Sequence, residues 1–280
     1  MLLRSTKVQY LKESVIIDYV NIAKELSLKK DDVLLIASDV MRLALYEAAS
    51  GKKFDAKKFI QSFQEQLPEG TLLFHAFNDN LVSGDTFDYK KSKPNTGSLS
   101  VAAWKDPDFI RTHDPFHSFM VWGAASASLK QIDDPSTFGN NSVFAWLHRN
   151  KAKMLIIDLP LVKSFTFVHY CEEQLNVAYR KHIKHRIHYI DENGVKSVKE
   201  RFFFTRKSGY SNYLDDLETK LTDDGAIQTY AFNNVGCMLV DLPQSYNYII
   251  DHIYPIHNLV LYKFDRKTWI KDTLRRIIKR

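Results

Sequence analysis

The chain has 280 residues, 45% apolar and 26% charged, a balance that excludes a disordered polymer and suits one large globular domain spanning 1–280. Its only two cysteines, Cys171 and Cys237, exclude a disulfide scaffold and fit a reducing compartment; with no apolar leader after Met1-Leu-Leu-Arg4 and no span near the ~20 residues a membrane helix needs, the cytoplasm is expected. The net charge of +6 gathers in 180–186, 196–207 and 266–280, which suits anionic partners without choosing among them.

Taken in chain order, Val33–Ala37 is a short apolar run of the kind a buried strand needs. Ser38-Asp39 then opens a helix with Val40, Leu43, Ala44 and Ala48 on one face. Asp55 caps a second helix, with Phe59, Ile60, Phe63 and Leu67 inward, that stops at Pro68 and Gly70. Thr71–Phe77 is a strand, and 78–97 is a long loop rich in Asn, Asp, Gly and Ser. Asn141-Ser142 starts another helix, Lys153–Asp158 is a third buried strand, and Ser164 or Thr166 begins the helix that carries His169. From Ile183 to Phe204 the period changes to two, with Asn193-Gly194 as a hairpin turn. A helix over Tyr213–Leu221, a strand pair around Val235–Leu242, a helix from Pro243 to Ile253 and a strand over Leu259–Tyr262 follow. The C-terminal helix, 266–280, sets Trp269, Ile270, Leu274, Ile277 and Ile278 in one stripe among seven Lys or Arg; a docking helix with a basic outer face is expected. Alternating strands and helices predict a three-layer α/β/α fold with a mixed central sheet and a β-hairpin arm over 183–206 projecting from it.

Two segments carry most of the chemistry. Thr166, His169 and Glu172 fall at i, i+3 and i+6, one face of a helix, so Glu172 can orient the His169 ring as a general base. A helical histidine satisfied by its neighbour is the competing reading. The segment Arg111-Thr-His-Asp-Pro-Phe-His-Ser118 packs a cation, a carboxylate, imidazoles and hydroxyls ahead of the apolar run Phe119–Trp122. His113 and His117 do not make a metal pair, because Pro115 breaks the helix they would share. Cys171, two residues past His169, points away from it and belongs to the core.

These two segments resemble the signature motifs of the aminoglycoside 3-N-acetyltransferase family. The second family motif, Thr, two residues, His, two residues, Glu, is met by Thr166, His169 and Glu172. The first, Arg-Ser, any residue, His-Pro, two residues, Ser, with a later glycine, is met by Arg111, Thr112, Pro115, Ser118 and Gly123, with Thr112 in place of serine. Asp114 stands where antibiotic-modifying members have histidine. Ser38 matches a serine after the first strand, and Pro94 with Gly97-Ser-Leu99 is similar to the family's Pro–Gly-Leu-Pro-Glu element without its closing Pro-Glu. Ser142, Met154–Asp158 and Asn234-Val-Gly236 fall in further matching places, so the resemblance runs over about 30–262.

The resemblance implies a coenzyme A-dependent N-acyltransferase using acetyl-coenzyme A and no metal. His169 would take the amine proton, Glu172 orient it, and Thr166, Ser118 or Thr112 donate to the carbonyl oxygen. Asp114 would form the pocket floor. Ser38, Asp39, Arg111, Thr112 and Ser118 would hold the donor. Because the residues around the motifs look basic and an aminoglycoside site calls for carboxylates, an anionic acceptor is expected: a nucleotide-linked amino sugar of polysaccharide biosynthesis. An antibiotic acceptor, and a non-catalytic protein binding polyanions or membrane surfaces, are the alternatives. No nucleic acid partner is expected, and a second copy of the chain is allowed for.

Overall fold

Strand β1 (Val33–Ser38) carries five consecutive apolar residues, a run that suits a central strand covered on both faces between parallel neighbours. The computed structural model describes residues 14–212, 214–253 and 260–278. After β1 come β2 (Thr71–His75), β3 (Thr86–Asp88), β4 (Ile110–Arg111), β5 (Phe119–Gly123) and β6 (Lys153–Ile157). The second half adds β7 (Arg180–Ile190), β8 (Lys196–Arg206), β9 (Tyr210–Asn212), β10 (Ile227–Phe232), β11 (Val235–Asp241) and β12 (Tyr262–Phe264).

The central sheet has seven strands in the order β10-β11-β6-β1-β2-β5-β4. β1 runs parallel to β2 and β6, and the outer strands are antiparallel, so the sheet is mixed. Side chains alternate between two cores, as the pleat requires. Leu34, Ile36, Leu72, Phe74, Leu155 and Ile157 face Leu43, Phe59, Phe63, Leu99 and Ala103 of the helices on one side. Leu35, Leu73, Met154 and Ile156 face Phe144, Leu147, Val168, Cys171, Leu217 and Ile249 of the helices on the other. This is the three-layer α/β/α arrangement. Two helix caps read from sequence hold: Asp55 accepts from the backbone N–H of Lys57 and Lys58, and Ser142 accepts from Ala145. The helices expected to open at Ser38-Asp39 and at Ser164 or Thr166 begin instead at Met41 and Val168, without a side-chain cap.

The hairpin β7–β8 turns at Gly194, whose φ is 83°. It stands outside the main sheet, and β3 joins it in parallel through Thr86–Asp88 to make a three-stranded sheet. Its inner residues Ile187 and Tyr189 pack with Phe87 and Phe116 in a third small core. The long loop after β2 thereby ties the arm to the first motif. The C-terminal helix (Arg266–Ile278) lies against β9. It meets β9 through polar groups, with Thr268 Oγ1 3.0 Å from Ser211 Oγ and Asp272 accepting from Gly209 N–H at 3.2 Å. Trp269, Ile270 and Leu274 are half-exposed. The first thirteen residues, the expected strand start at Leu259 and the last two residues of the expected basic helix lie outside the described residues. Among the described residues, no helix is long and apolar enough to cross a membrane.

Candidate active site

The helix Val168–Gln174 presents His169 and Glu172 one turn apart. Glu172 is fully buried, and its Oε2 lies 2.8 Å from His169 Nδ1. Burying a carboxylate is costly unless it is paired. Here Arg180 Nε lies 2.6 Å from the same oxygen, and Tyr179 OH donates to Oε1 at 3.0 Å. Burial first, then the Arg180 cation, hold the His169 imidazole below the usual histidine value, while the hydrogen bond and charge of Glu172 oppose that shift. His169 keeps 23% of its side chain exposed, so its ring is reachable. Thr166 sits half-buried one turn earlier, its carbonyl accepting from His169 N–H at 3.0 Å.

The side chains of the first motif turn inward onto protein partners. Arg111 is 2% exposed and every N–H of its guanidinium is directed at a protein acceptor. Nε donates to Ser118 Oγ at 2.9 Å, Nη1 to the Ser92 and Tyr89 carbonyls, and Nη2 to Ala76 O and Asn78 Oδ1 at 2.9 and 2.6 Å. Phe87 covers its face at 4.6 Å, and burial lowers its pKa to about 10. Ser118 Oγ in turn donates to Ala76 O, and Thr112 Oγ1 accepts from Phe119 N–H. Both are fully buried. Arg111, Thr112 and Ser118 were expected to touch the donor; the structure closes them inside the β4–β5 hairpin, where they clamp the chain leaving β2 and the loop up to Ser92. Gly123 belongs to the same construction: its φ is 104°, and a Cβ there would come 2.3 Å from Gly70 O.

Asp114 stays near the chemistry. Its Oδ1 accepts from Phe116 and His117 N–H, and its Oδ2 accepts from Thr137 Oγ1 at 2.6 Å. His117 Nδ1 lies 3.3 Å from the same hydroxyl, and burial pushes its pKa down to about 4. Phe138 stands between the two imidazoles, 5.7 Å from the His169 ring and 5.5 Å from that of His117. Beside them opens a recess lined by Asp114, His117, Asp133, Asp134, Ser136 and Thr137. Glu173 borders it, accepting from Ser136 Oγ at 2.8 Å. His113 turns elsewhere, to Tyr189 OH at 2.9 Å.

Ser38 and Asp39 lie at the carboxyl edge of β1, where a parallel sheet opens its ligand crevice. Gly97, with φ 105°, brings the start of the helix Ser98–Lys105 against Ser38, so that a Cβ on it would meet Ser38 O at 3.4 Å. The Asp39 carboxylate is engaged with Met41 N–H at 2.9 Å. Just past this edge Arg42 pairs with Asp158 and donates to Asn234 O at 3.2 Å.

Sequence reasoning assigned no site role to Arg180, Tyr179, Tyr262 or Thr137, and weighed His117 only as a metal ligand. Arg180 reads as the first cation of a basic run, and nothing near it in sequence announces a buried carboxylate.

Comparison with known proteins agrees with this construction. The family profile described as aminoglycoside 3-N-acetyltransferase matches residues 48–253. Among solved structures, AAC-IIIb in its binary complex with CoASH superposes with a TM-score of 0.68 at 18% identity, covering 84% of this chain and 95% of that one. AAC-VIa bound to sisomicin gives a TM-score of 0.70 at 14% identity, over 86% of this chain and 97% of that one. The YokD protein from Bacillus subtilis gives 0.68 at 16% identity, over 83% and 90%. A comparison with curated protein sequences finds no match. With a profile that spans most of its length and a fold shared with these structures, the chain belongs to the aminoglycoside 3-N-acetyltransferase family, which uses acetyl-coenzyme A to acylate amines.

Proposed function

We propose that this enzyme transfers the acetyl group of acetyl-coenzyme A to an amino group of a cationic amino sugar of the aminoglycoside class, in a ternary complex. The observation that carries the reading is the His169–Glu172 pair, with the carboxylates of Asp114 and Asp134 in the small recess on the far side of Phe138. A site for a polycation calls for carboxylates; Asp114 and Asp134 supply them, Asp133 being taken by Lys199 and Arg201. The expectation of an anionic, nucleotide-linked acceptor rested on basic residues around the motifs. Those cations are engaged elsewhere: Arg180 with Glu172, Arg111 with backbone carbonyls, Lys199 and Arg201 with Asp133.

In this reading the amine proton passes to His169 Nε2 as nitrogen attacks the thioester carbonyl. The C–N bond forms, the C–S bond breaks, and the sulfur leaves with the proton that His169 returns. Glu172 stabilises the transient imidazolium. Ser118 and Thr112 are occupied inside the hairpin, so Thr166 is the hydroxyl assigned to the developing oxyanion. Ser38 and the amides opening the helix Ser98–Lys105 are assigned to the donor. The test is release of free thiol from acetyl-coenzyme A across a panel of sisomicin, neutral amino sugars and nucleotide-linked amino sugars. Turnover with sisomicin alone supports the reading. Turnover restricted to the nucleotide sugars restores the anionic acceptor, and turnover with none of them overturns the assignment of acceptor class.

A further inference from the structure

His169 is held by more than its own helix. Arg180, the first residue of β7, is buried, and its Nη2 lies 2.9 Å from His169 Nδ1 and 3.2 Å from Nε2. The two ring nitrogens flank Cε1. A donor lying in the ring plane this close to both would collide with that carbon, so the guanidinium lies over the face of the imidazole. Glu172 accepts at Nδ1, which leaves the in-plane lone pair of Nε2 open. Arg180 is itself fixed from several sides. Nε meets Glu172, Nη1 donates to Phe204 O at 3.3 Å, and Nη2 donates to Tyr262 OH at 2.5 Å. The Tyr262 ring covers the guanidinium at 4.9 Å. Tyr262 lies on β12, beyond the residues 48–253 that the family profile matches. The chain's C-terminal segment therefore reaches back to the base.

We propose that Arg180, locked by Tyr262, is a positioning residue that fixes His169 as the neutral Nδ1–H tautomer with Nε2 directed at the acceptor amine. The proposal deepens the acetyl-transfer reading and rests on it for the identity of that amine. A cation against the ring face disfavours the imidazolium, so the base waits unprotonated, and a proton taken from the amine is returned readily to the departing sulfur. Glu172 supplies the opposing attraction. Besides Glu172 and Arg180, the titratable groups around His169 are His117 ahead of β5, which faces it across Phe138, and Tyr179 and Tyr262, which reach it through Glu172 and Arg180. Of these, His117 is neutral near pH 7 because burial holds its pKa at about 4.

The decisive experiment is an NMR titration of the His169 ring nitrogens in the full, substrate-free chain. Wild type, Arg180→Met, Arg180→Lys and Tyr262→Phe are compared, with the resonance assigned through His169→Gln. Arg180→Met should raise the His169 midpoint by about one pH unit, the order expected for removing one adjacent charge. Arg180→Lys should restore most of the shift, and Tyr262→Phe should move the midpoint less, in the same direction. The acid limb of kcat/KM should follow while KM for acetyl-coenzyme A stays constant. Midpoint and tautomer unchanged in Arg180→Lys, Tyr262→Phe and any folded Arg180→Met, with only thermal stability lowered, would overturn the proposal. A shifted midpoint in an enzyme that acetylates none of the acceptors would leave the positioning role standing and sink the acceptor reading instead.

Discussion

Glu172 Oε2 lies 2.8 Å from His169 Nδ1 and 2.6 Å from Arg180 Nε, so one buried carboxylate serves two partners of different kinds. It orients a neutral base and neutralises a permanent cation. Glu172→Gln removes both services at once. Breaking a buried pair from one side costs about 3–5 kcal/mol, and loss of the orienting charge should lower kcat by roughly 10–100-fold. Urea unfolding and steady-state rates measured together check both. A variant as stable as wild type would mean that the Arg180–Glu172 pair is not closed as described.

Arg111→Lys separates clamp from ligand. Lysine cannot satisfy the Ser118, Ala76, Ser92 and Asn78 acceptors that the guanidinium fork reaches. Stability should fall by about 2–4 kcal/mol, while the Kd for acetyl-coenzyme A at a temperature where the variant is folded should change less than about threefold. A large loss of donor affinity in a stable variant would return Arg111 to the donor site.

Three strands could be read directly from sequence. β1, β2 and β6 are buried on both faces, so each appears as a continuous apolar run. Asp55 and Ser142 were readable because capping is a local bond. The dyad was readable because one helical turn joins His169 to Glu172. What failed to show had its partner far away in sequence. Arg111 carries the polar density of a catalytic cluster, yet the carbonyls it serves come from Ala76 and Ser92. Asp133 and Asp134 become walls of the recess only because the loop up to Ser142 packs against Phe119 and His117. Tyr262 reaches Arg180 across 82 residues, a distance over which no periodicity carries information.

Asp114→Asn tests the acidic recess. The amide can keep the bonds from Phe116 and His117 N–H but loses the charge and the acceptor that Thr137 uses. The KM of a cationic acceptor should rise about tenfold, near 1.4 kcal/mol, with KM for acetyl-coenzyme A unchanged. Equal effects on both substrates would place Asp114 outside the acceptor site.

Two buried imidazoles make the fold acid-sensitive. Burial holds His75 at about 3 and His117 at about 4, against about 6.5 in an unfolded chain. Below pH 6.5 the unfolded state binds the more protons, so stability falls as pH falls, until the folded values are reached. Between pH 6.5 and 5 each histidine should contribute a loss of about 2 kcal/mol. Urea midpoints at pH 7 and pH 5 measure this, and equal midpoints would contradict the buried, neutral assignment.

The central claim is that His169 is the base of an acetyl transfer. Thiol release by wild type and His169→Ala, each with saturating acetyl-coenzyme A and a cationic amino sugar, tests it most directly. The account predicts that kcat falls on the order of a hundredfold or more, with KM for acetyl-coenzyme A unchanged. A His169→Ala enzyme that turns over at the wild-type rate would contradict it.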